Sequence, residues 1–280
     1  MDNTGMYIER WGSEANPAVV FLHGGGVGGW MWKPQVERLG RYFRCLVPDM
    51  PGLGRSKAAG PFSHARAAEM AAELIRREVK AGKAHVVGLS EGAQAAVELL
   101  SRSPEVVDQA VVSSALVRPM PGQWMFSRGA LAWSYRLAMA PFRNSDGWIR
   151  LNMKYSAGLP ETYFAEFKRS FADTTEEEFV EMLYAGLHYR MPQGLERAQA
   201  RTLVVCGEKE YRAMKDSVHD LAQALPNAVE ARLSLGPKVR LADEHNWALT
   251  APDLFARTLL AWFRGEPLPD GITVLQGAES

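Results

Sequence analysis

Ser90 stands in Gly88-Leu89-Ser90-Glu91-Gly92, between an apolar run at 84–87 and a small-residue helical pattern that continues to Leu100. On a strand-turn-helix, G-x-S-x-G makes a nucleophile elbow, a turn tight enough to strain the serine backbone and hold its Oγ clear of the sheet. The flanking glycines let the helix pass close to the strand, where a Cβ would clash. A serine hydroxyl is a weak nucleophile at neutral pH. Such a site needs a base, a group that orients the base, and donors for a developing oxyanion.

The candidate base is His245, in Asp243-Glu244-His245-Asn246-Trp247, which follows the last strand-like run and precedes a helix opening at Pro252. From there it can swing back over the sheet to Ser90. The other histidines are placed less well: His64 opens a helix, His85 lies in a strand and His219 in a helix. His23 ends the first buried strand, and His188 falls in a later helical stretch where it can at most touch substrate. The orienting acid is expected after Cys206, in Gly207-Glu208-Lys209-Glu210-Tyr211. Glu210 sits where the chain should turn back toward the histidine, and Glu208 is its near rival. The loop Ser113-Ser114-Ala115-Leu116 offers no carboxylate, and Asp243 and Glu244 would have to fold back on the base.

Oxyanion donors are expected from His23-Gly24-Gly25-Gly26-Val27-Gly28-Gly29, since glycines let backbone N–H groups approach a ligand closely. The hole combines the Gly25 amide, with Gly26 beside it, and the amide of Glu91, the residue after the nucleophile. The Glu91 side chain opens a helix, where negative charge is favourable, and reads as structural. A phosphate-cradling reading of the loop is weak. The G-x-G-x-x-G match is loose, Asp49 is poorly placed as a ribose ligand, and no G-K-[ST] occurs. With no H-E-x-x-H, no C-x-x-C and no ligand-like carboxylate cluster, neither a metal nor a cofactor is expected.

The elements that must position these groups follow an α/β rhythm. Apolar runs at 18–22, 44–47, 85–87, 110–113 and 202–206 alternate with helical patterns at 63–80, 91–101, 215–225 and 252–263. That alternation predicts a mostly parallel sheet with helices on both faces. Residues 229–235 are more polar, as in a strand nearer an edge, and residues 7–11 could add an antiparallel edge strand. The rhythm breaks from 118 to 200, a stretch rich in large apolar groups and punctuated by Pro119, Pro121, Pro141, Pro160 and Pro192. So long a structureless loop is improbable, and short helices are expected instead. The division is 1–117 with 201–280 as the core domain and 118–200 as a helical cap. Its aromatics are expected to form an apolar ceiling over the site. Trp30, Trp124, Trp133, His188 and Trp247 are the candidate pocket residues.

A hydrophobic content of 47% with 23% charged residues suits a globular enzyme. The 32 basic and 32 acidic residues balance without a basic stripe, which disfavours nucleic acid as a partner. Cys45 and Cys206 lie in apolar runs and read as buried thiols in a reducing compartment. No stretch is apolar and long enough to span a membrane, and the first residues lack the basic start and apolar run of a signal peptide. A cytoplasmic location is expected, with a homodimer left open.

Together these residues resemble the α/β-hydrolase family, in the order nucleophile, acid, histidine. Two further segments match: Pro48-Asp49-Met50-Pro51-Gly52-Leu53-Gly54-Arg55-Ser56 resembles the family's D-x-P-G-x-G-x-S loop, and His245-x-Trp247 with Pro252-Asp253-Leu254-Phe255 resembles its terminal loop and helix. The resemblance spans roughly 6–265 and implies a cap inserted between the sixth and seventh strands of that fold. The glutamate departs from the commoner aspartate in the acid position. Ser90 is not the aspartate that dehalogenase-like and epoxide-hydrolase-like relatives require. The resemblance implies hydrolysis of a small, uncharged, hydrophobic ester or lactone. A cofactor-free lyase resembling hydroxynitrile lyases, with Lys209, His188 or Arg212 as its extra cation, is the alternative, and a non-catalytic ligand receptor is a third.

Overall fold

The computed structural model describes residues 5–275; residues 1–4, part of the stretch expected to lack a leader, lie outside them. Strands β1 (Ile8–Trp11), β2 (Ala18–Leu22), β3 (Arg44–Pro48), β4 (Ala84–Leu89), β5 (Val107–Ser113), β6 (Arg201–Gly207), β7 (Ala228–Leu233) and β8 (Ile272–Val274) form one sheet in the order β1-β3-β2-β4-β5-β6-β7-β8. The strands from β2 to β7 are mutually parallel. β1 and β8 close the two edges in antiparallel pairing. β8 is new relative to the sequence pattern, because a three-residue strand carries too little periodicity to register.

The first half of the chain supplies α1 (Lys33–Leu39), α2 (His64–Glu78) and α3 (Glu91–Arg102). Between β5 and β6 lie α4 (Arg128–Ala138), α5 (Asp146–Asn152), α6 (Phe164–Asp173) and α7 (Glu176–His188), joined by short turns and with no strand among them. The last part carries α8 (Arg212–Ala224), α9 (Leu241–His245), α10 (Trp247–Thr250) and α11 (Pro252–Arg264). Counted along this chain, the helical stretch falls between the fifth and sixth strands, since a single strand precedes the parallel ones. Of the described residues, no helix is long and apolar enough to cross a membrane.

Alternation along the strands builds two cores, because successive side chains leave opposite faces of a sheet. Val20, Leu22, Leu46, Val86, Val112 and Val204 pack with Leu74, Leu99 and Leu221 of α2, α3 and α8. Val19, Phe21, Cys45, Val47, Val111 and Val205 pack against Leu39 of α1 and Phe255, Leu259 and Trp262 of α11. Both cysteines are free, and burial pushes each thiol up to about 12.

Candidate active site

From β2 the chain moves to β3 on one side, then returns to β4 on the other. The loops leaving the C-terminal ends of β2 and β4 therefore diverge, and a crevice opens between them. Leu22 pairs with Gly88 in that register, so the glycine loop and Ser90 emerge side by side. Ser90 holds φ 56° and ψ −115°, a conformation rarely tolerated by a residue with a Cβ. Its N–H donates to the Ser113 carbonyl at 2.9 Å, which ties the strained turn to β5. A Cβ on Gly92 would collide with the Leu22 carbonyl, and one on Gly88 with the Gly92 carbonyl. That close approach is what lets α3 start directly from the elbow.

His245 ends α9, so the expected terminal loop is a short helix that turns the imidazole toward the sheet. Its Nδ1 lies 3.2 Å from Oε2 of Glu210, a buried carboxylate. The other oxygen of Glu210 accepts from Ser114 Oγ at 2.5 Å and from the Gly207 amide at 3.4 Å. Burial opposes ionisation of Glu210, but the His245 charge and these hydrogen bonds outweigh it and hold the carboxyl below its ordinary range. For His245 burial again opposes the charged form. The neighbouring Glu210 prevails and raises the imidazole above its ordinary range. Glu208 is exposed and lies apart from this pair. Glu244 is fully buried and does not fold back on His245: it accepts from the Lys209 amide at 2.7 Å and the Leu235 amide at 3.2 Å. It braces the loop that carries Glu210.

Among the described residues, neither the Gly25 amide nor the Glu91 amide has a hydrogen-bond partner. The Gly26 amide points elsewhere, at Met182 Sδ 3.0 Å away, and the Gly24 amide donates to Met31 Sδ at 3.2 Å. His23 fixes the loop from beneath. Its Nε2 accepts from the Met50 amide at 2.9 Å, so Nδ1 carries the proton that it donates to the Gly24 carbonyl at 2.8 Å. Asp49 accepts from the Gly29 amide at 2.7 Å and from Arg55, which makes it a loop brace. The Glu91 side chain departs from the sequence reading. It is buried, and burial pushes its carboxyl up to about 8, which opposes the charge expected at the helix N-terminus.

Ser90 and His245 open onto one cavity of about 480 Å³, whose floor comes from the sheet end and whose roof comes from the 118–200 stretch. Its apolar wall includes Met139, Leu159, Phe167, Phe171, Phe179, Met182 and Leu183, and no lysine or arginine lines it. None of the five expected pocket residues does so either. Trp124 and Trp133 face solvent, 83% and 65% exposed. His188 Nδ1 donates to the Tyr184 carbonyl of its own helix at 2.9 Å, and its ring stacks on that of Tyr184. Trp247 is buried below the site with its Nε1 donating to Ser113 Oγ at 2.9 Å. Trp30 lines a neighbouring groove and donates to Ser170 Oγ. A tryptophan's size predicts burial in general but not which surface it covers. The cations considered for a lyase also lie elsewhere: Lys209 donates to the Pro237 and Val239 carbonyls, and Arg212 is exposed.

Sequence reasoning missed Ser114, Gln94 and the sulfurs of Met31 and Met182. Gln94 had a usable signal, one helical turn after Ser90. The methionines had none, since Met182 reaches Gly26 across 156 positions.

A profile described as the alpha/beta hydrolase family matches residues 19–258. A pimeloyl-acyl-carrier-protein methyl ester esterase of Nitrosospira multiformis is 30% identical over 250 residues, covering 81% of this chain and 92% of its own. A Serratia proteamaculans protein bearing the carbamate-hydrolase name RutD is 26% identical over 268 residues, 92% of this chain and 95% of its own. The crystal structure of an enol-lactonase from Burkholderia xenovorans aligns with a TM-score of 0.72 at 20% identity, over 92% of this chain and 96% of that one. At that identity the likeness shows the fold.

Proposed function

This chain belongs to the alpha/beta hydrolase family; we propose that it is a carboxylic ester hydrolase in which Ser90, His245 and Glu210 form a catalytic triad that cleaves a small, uncharged, hydrophobic ester or lactone through an acyl-enzyme. The observation that carries this reading is the buried Glu210 carboxylate 3.2 Å from His245 Nδ1, with His245 and the strained Ser90 on one cavity wall. Ser90 Oγ attacks the acyl carbon while His245 Nε2 takes its proton. The Gly25 and Glu91 amides receive the oxyanion as the carbonyl becomes tetrahedral. His245 then protonates the leaving alkoxide, and Ser90 keeps the acyl group. Water, deprotonated by His245, attacks the acyl carbon, and His245 returns that proton to Ser90 Oγ as the acyl–oxygen bond breaks and the acid leaves. Throughout, Glu210 holds the Nδ1 proton and stabilises the imidazolium. The 118–200 stretch acts as a cap whose apolar wall selects an uncharged substrate.

Aryl esters graded by acyl length, with lactones and cyanohydrins added, test this directly. The expected result is turnover of uncharged esters or lactones, with an optimum in acyl length and poor use of charged acyl groups. Cleavage of cyanohydrins alone would make the protein a lyase. Binding without any turnover would favour the receptor reading, for which the exposed Trp124 and Trp133 would supply a partner surface.

A further inference from the structure

We propose that Met182, on the roof helix α7, is a positioning residue for the oxyanion donor at Gly25, acting through the bond its thioether accepts from the Gly26 amide. This rests on the serine-esterase reading of Ser90. Gly24, Gly25 and Gly26 follow one another, and glycine has little torsional preference of its own. The aim of the Gly25 N–H is therefore set by what holds the two peptide planes that flank it. A trans peptide is planar, so its C=O and N–H point in opposite directions. His23 Nδ1 holds the Gly24 carbonyl at 2.8 Å from beneath the loop, which turns the Gly25 N–H away from His23. Among the described residues, the plane joining Gly25 to Gly26 is held by a single hydrogen bond, from the Gly26 N–H to Met182 Sδ at 3.0 Å. With both planes fixed, φ and ψ of Gly25 are fixed as well.

The methionine is itself held in place. Glu178, Met182 and Gly186 stand four residues apart and share one face of α7. At the first of them, Lys57 donates to the Glu178 carboxylate at 3.0 Å and to the Asp173 carbonyl at 2.6 Å. At the last, Gln94 Nε2 donates to the Gly186 carbonyl at 3.0 Å. Gly186 comes so close to α3 that a Cβ there would collide with the Glu91 carboxyl oxygens. Met182 lies between these anchors, buried in the wall of the catalytic cavity. Pinned on both sides of it, α7 belongs mechanically with the core, unlike α4 with its exposed Trp133 and Leu137. The other tied amides of the loop are held from the core, Gly24 by Met31 and Gly29 by Asp49. Without the sulfur, the Gly25–Gly26 peptide can turn over at little torsional cost. That turn would bring the Gly25 carbonyl oxygen to the side Met182 occupies, where it would repel a developing oxyanion.

Two ketones, measured as inhibitors of naphthyl butyrate hydrolysis, separate positioning from cavity shape. On phenylbutyl trifluoromethyl ketone, Ser90 Oγ adds to the carbonyl carbon, its proton passes to His245, and the carbonyl oxygen becomes an oxyanion. Phenylbutyl methyl ketone fills the same cavity without adding. Met182→Leu keeps the volume and the helix but removes the sulfur. In that variant kcat should fall roughly tenfold to a hundredfold, and inhibition by the trifluoromethyl ketone should weaken in step. KM and inhibition by the methyl ketone should change by about twofold or less. Met182→Gln, which returns an acceptor oxygen at similar reach, should recover most of the loss. Equal weakening of the two ketones, an unchanged kcat in Met182→Leu, or no recovery in Met182→Gln would overturn the positioning role alone, provided a fluorophosphonate still labels Ser90. Absence of that labelling in the wild-type protein would overturn the serine reading and the role of Met182 with it.

Discussion

The sheet end beneath the cavity and the helical stretch above it are held by different physics. Below, Phe21, Val87 and Val205 are fully buried, and Ser90 is fixed by backbone contacts that exclude a Cβ at Gly88 and Gly92. Above, Trp124, Met125, Trp133, Leu137 and Tyr155 remain exposed, and the segments α4 to α7 are joined by short turns. A close-packed layer tolerates little displacement, whereas a layer with large exposed side chains can exchange them at small cost. On the proposed function, reaction geometry rests on the part of the fold that cannot adjust, and the shape of the substrate space on the part that can.

The largest separation between the regions should appear in catalysis. Glu210→Gln should lower kcat by about a thousand- to ten-thousandfold, because the imidazole loses its orienting carboxylate. Met139→Ala, in the cavity roof, should instead alter KM and acyl-length preference by about tenfold or less. Steady-state kinetics of the two variants measures this, and a strong kcat defect in Met139→Ala would show that the roof also sets geometry. Glu208→Gln should be close to wild type, and the reverse result would transfer the orienting role to Glu208.

The pH profile should move with the same substitution. His245 must be neutral to accept the Ser90 proton, and Glu210 holds it above its ordinary range, so wild-type kcat/KM should fall as pH drops through that raised value. Glu210→Gln removes the carboxylate but leaves the burial, so its acidic limb should lie at lower pH than in the wild type. An unmoved limb would mean that another group titrates.

In stability the contrast should be smaller. Phe255→Ala, which empties a fully buried site beside Trp32 and Trp247, should cost about 3–5 kcal/mol in denaturant unfolding. Trp133→Ala should stay within about 0.5 kcal/mol. A large loss at Trp133 would mean that its exposed face is covered in solution.

How much of this was legible in the sequence follows the same division. That Ser90, His245 and Glu210 gather at one end of the sheet could be read because each leaves the end of a β-rich run, and the order of such runs fixes which ends adjoin. The glycine loop was legible for the same reason. The pocket was not, since Trp124, Trp133 and His188 carry bulk and polarity but no mark of the surface they face. Residues whose role depends on closure of the chain were also hidden. Ser114 meets Glu210 across 96 positions, and Gln94 meets Gly186 across 92. Glu91 misled because an acid at a helix start usually stays charged, whereas here Gly186 and Gly25 bury it.

Intact-mass analysis after exposure to a fluorophosphonate, followed by peptide mapping, tests the role of Ser90 most directly. A single adduct on Ser90, absent from Ser90→Ala, is the expected result. No adduct on the wild-type protein, or one that persists in Ser90→Ala, would contradict it.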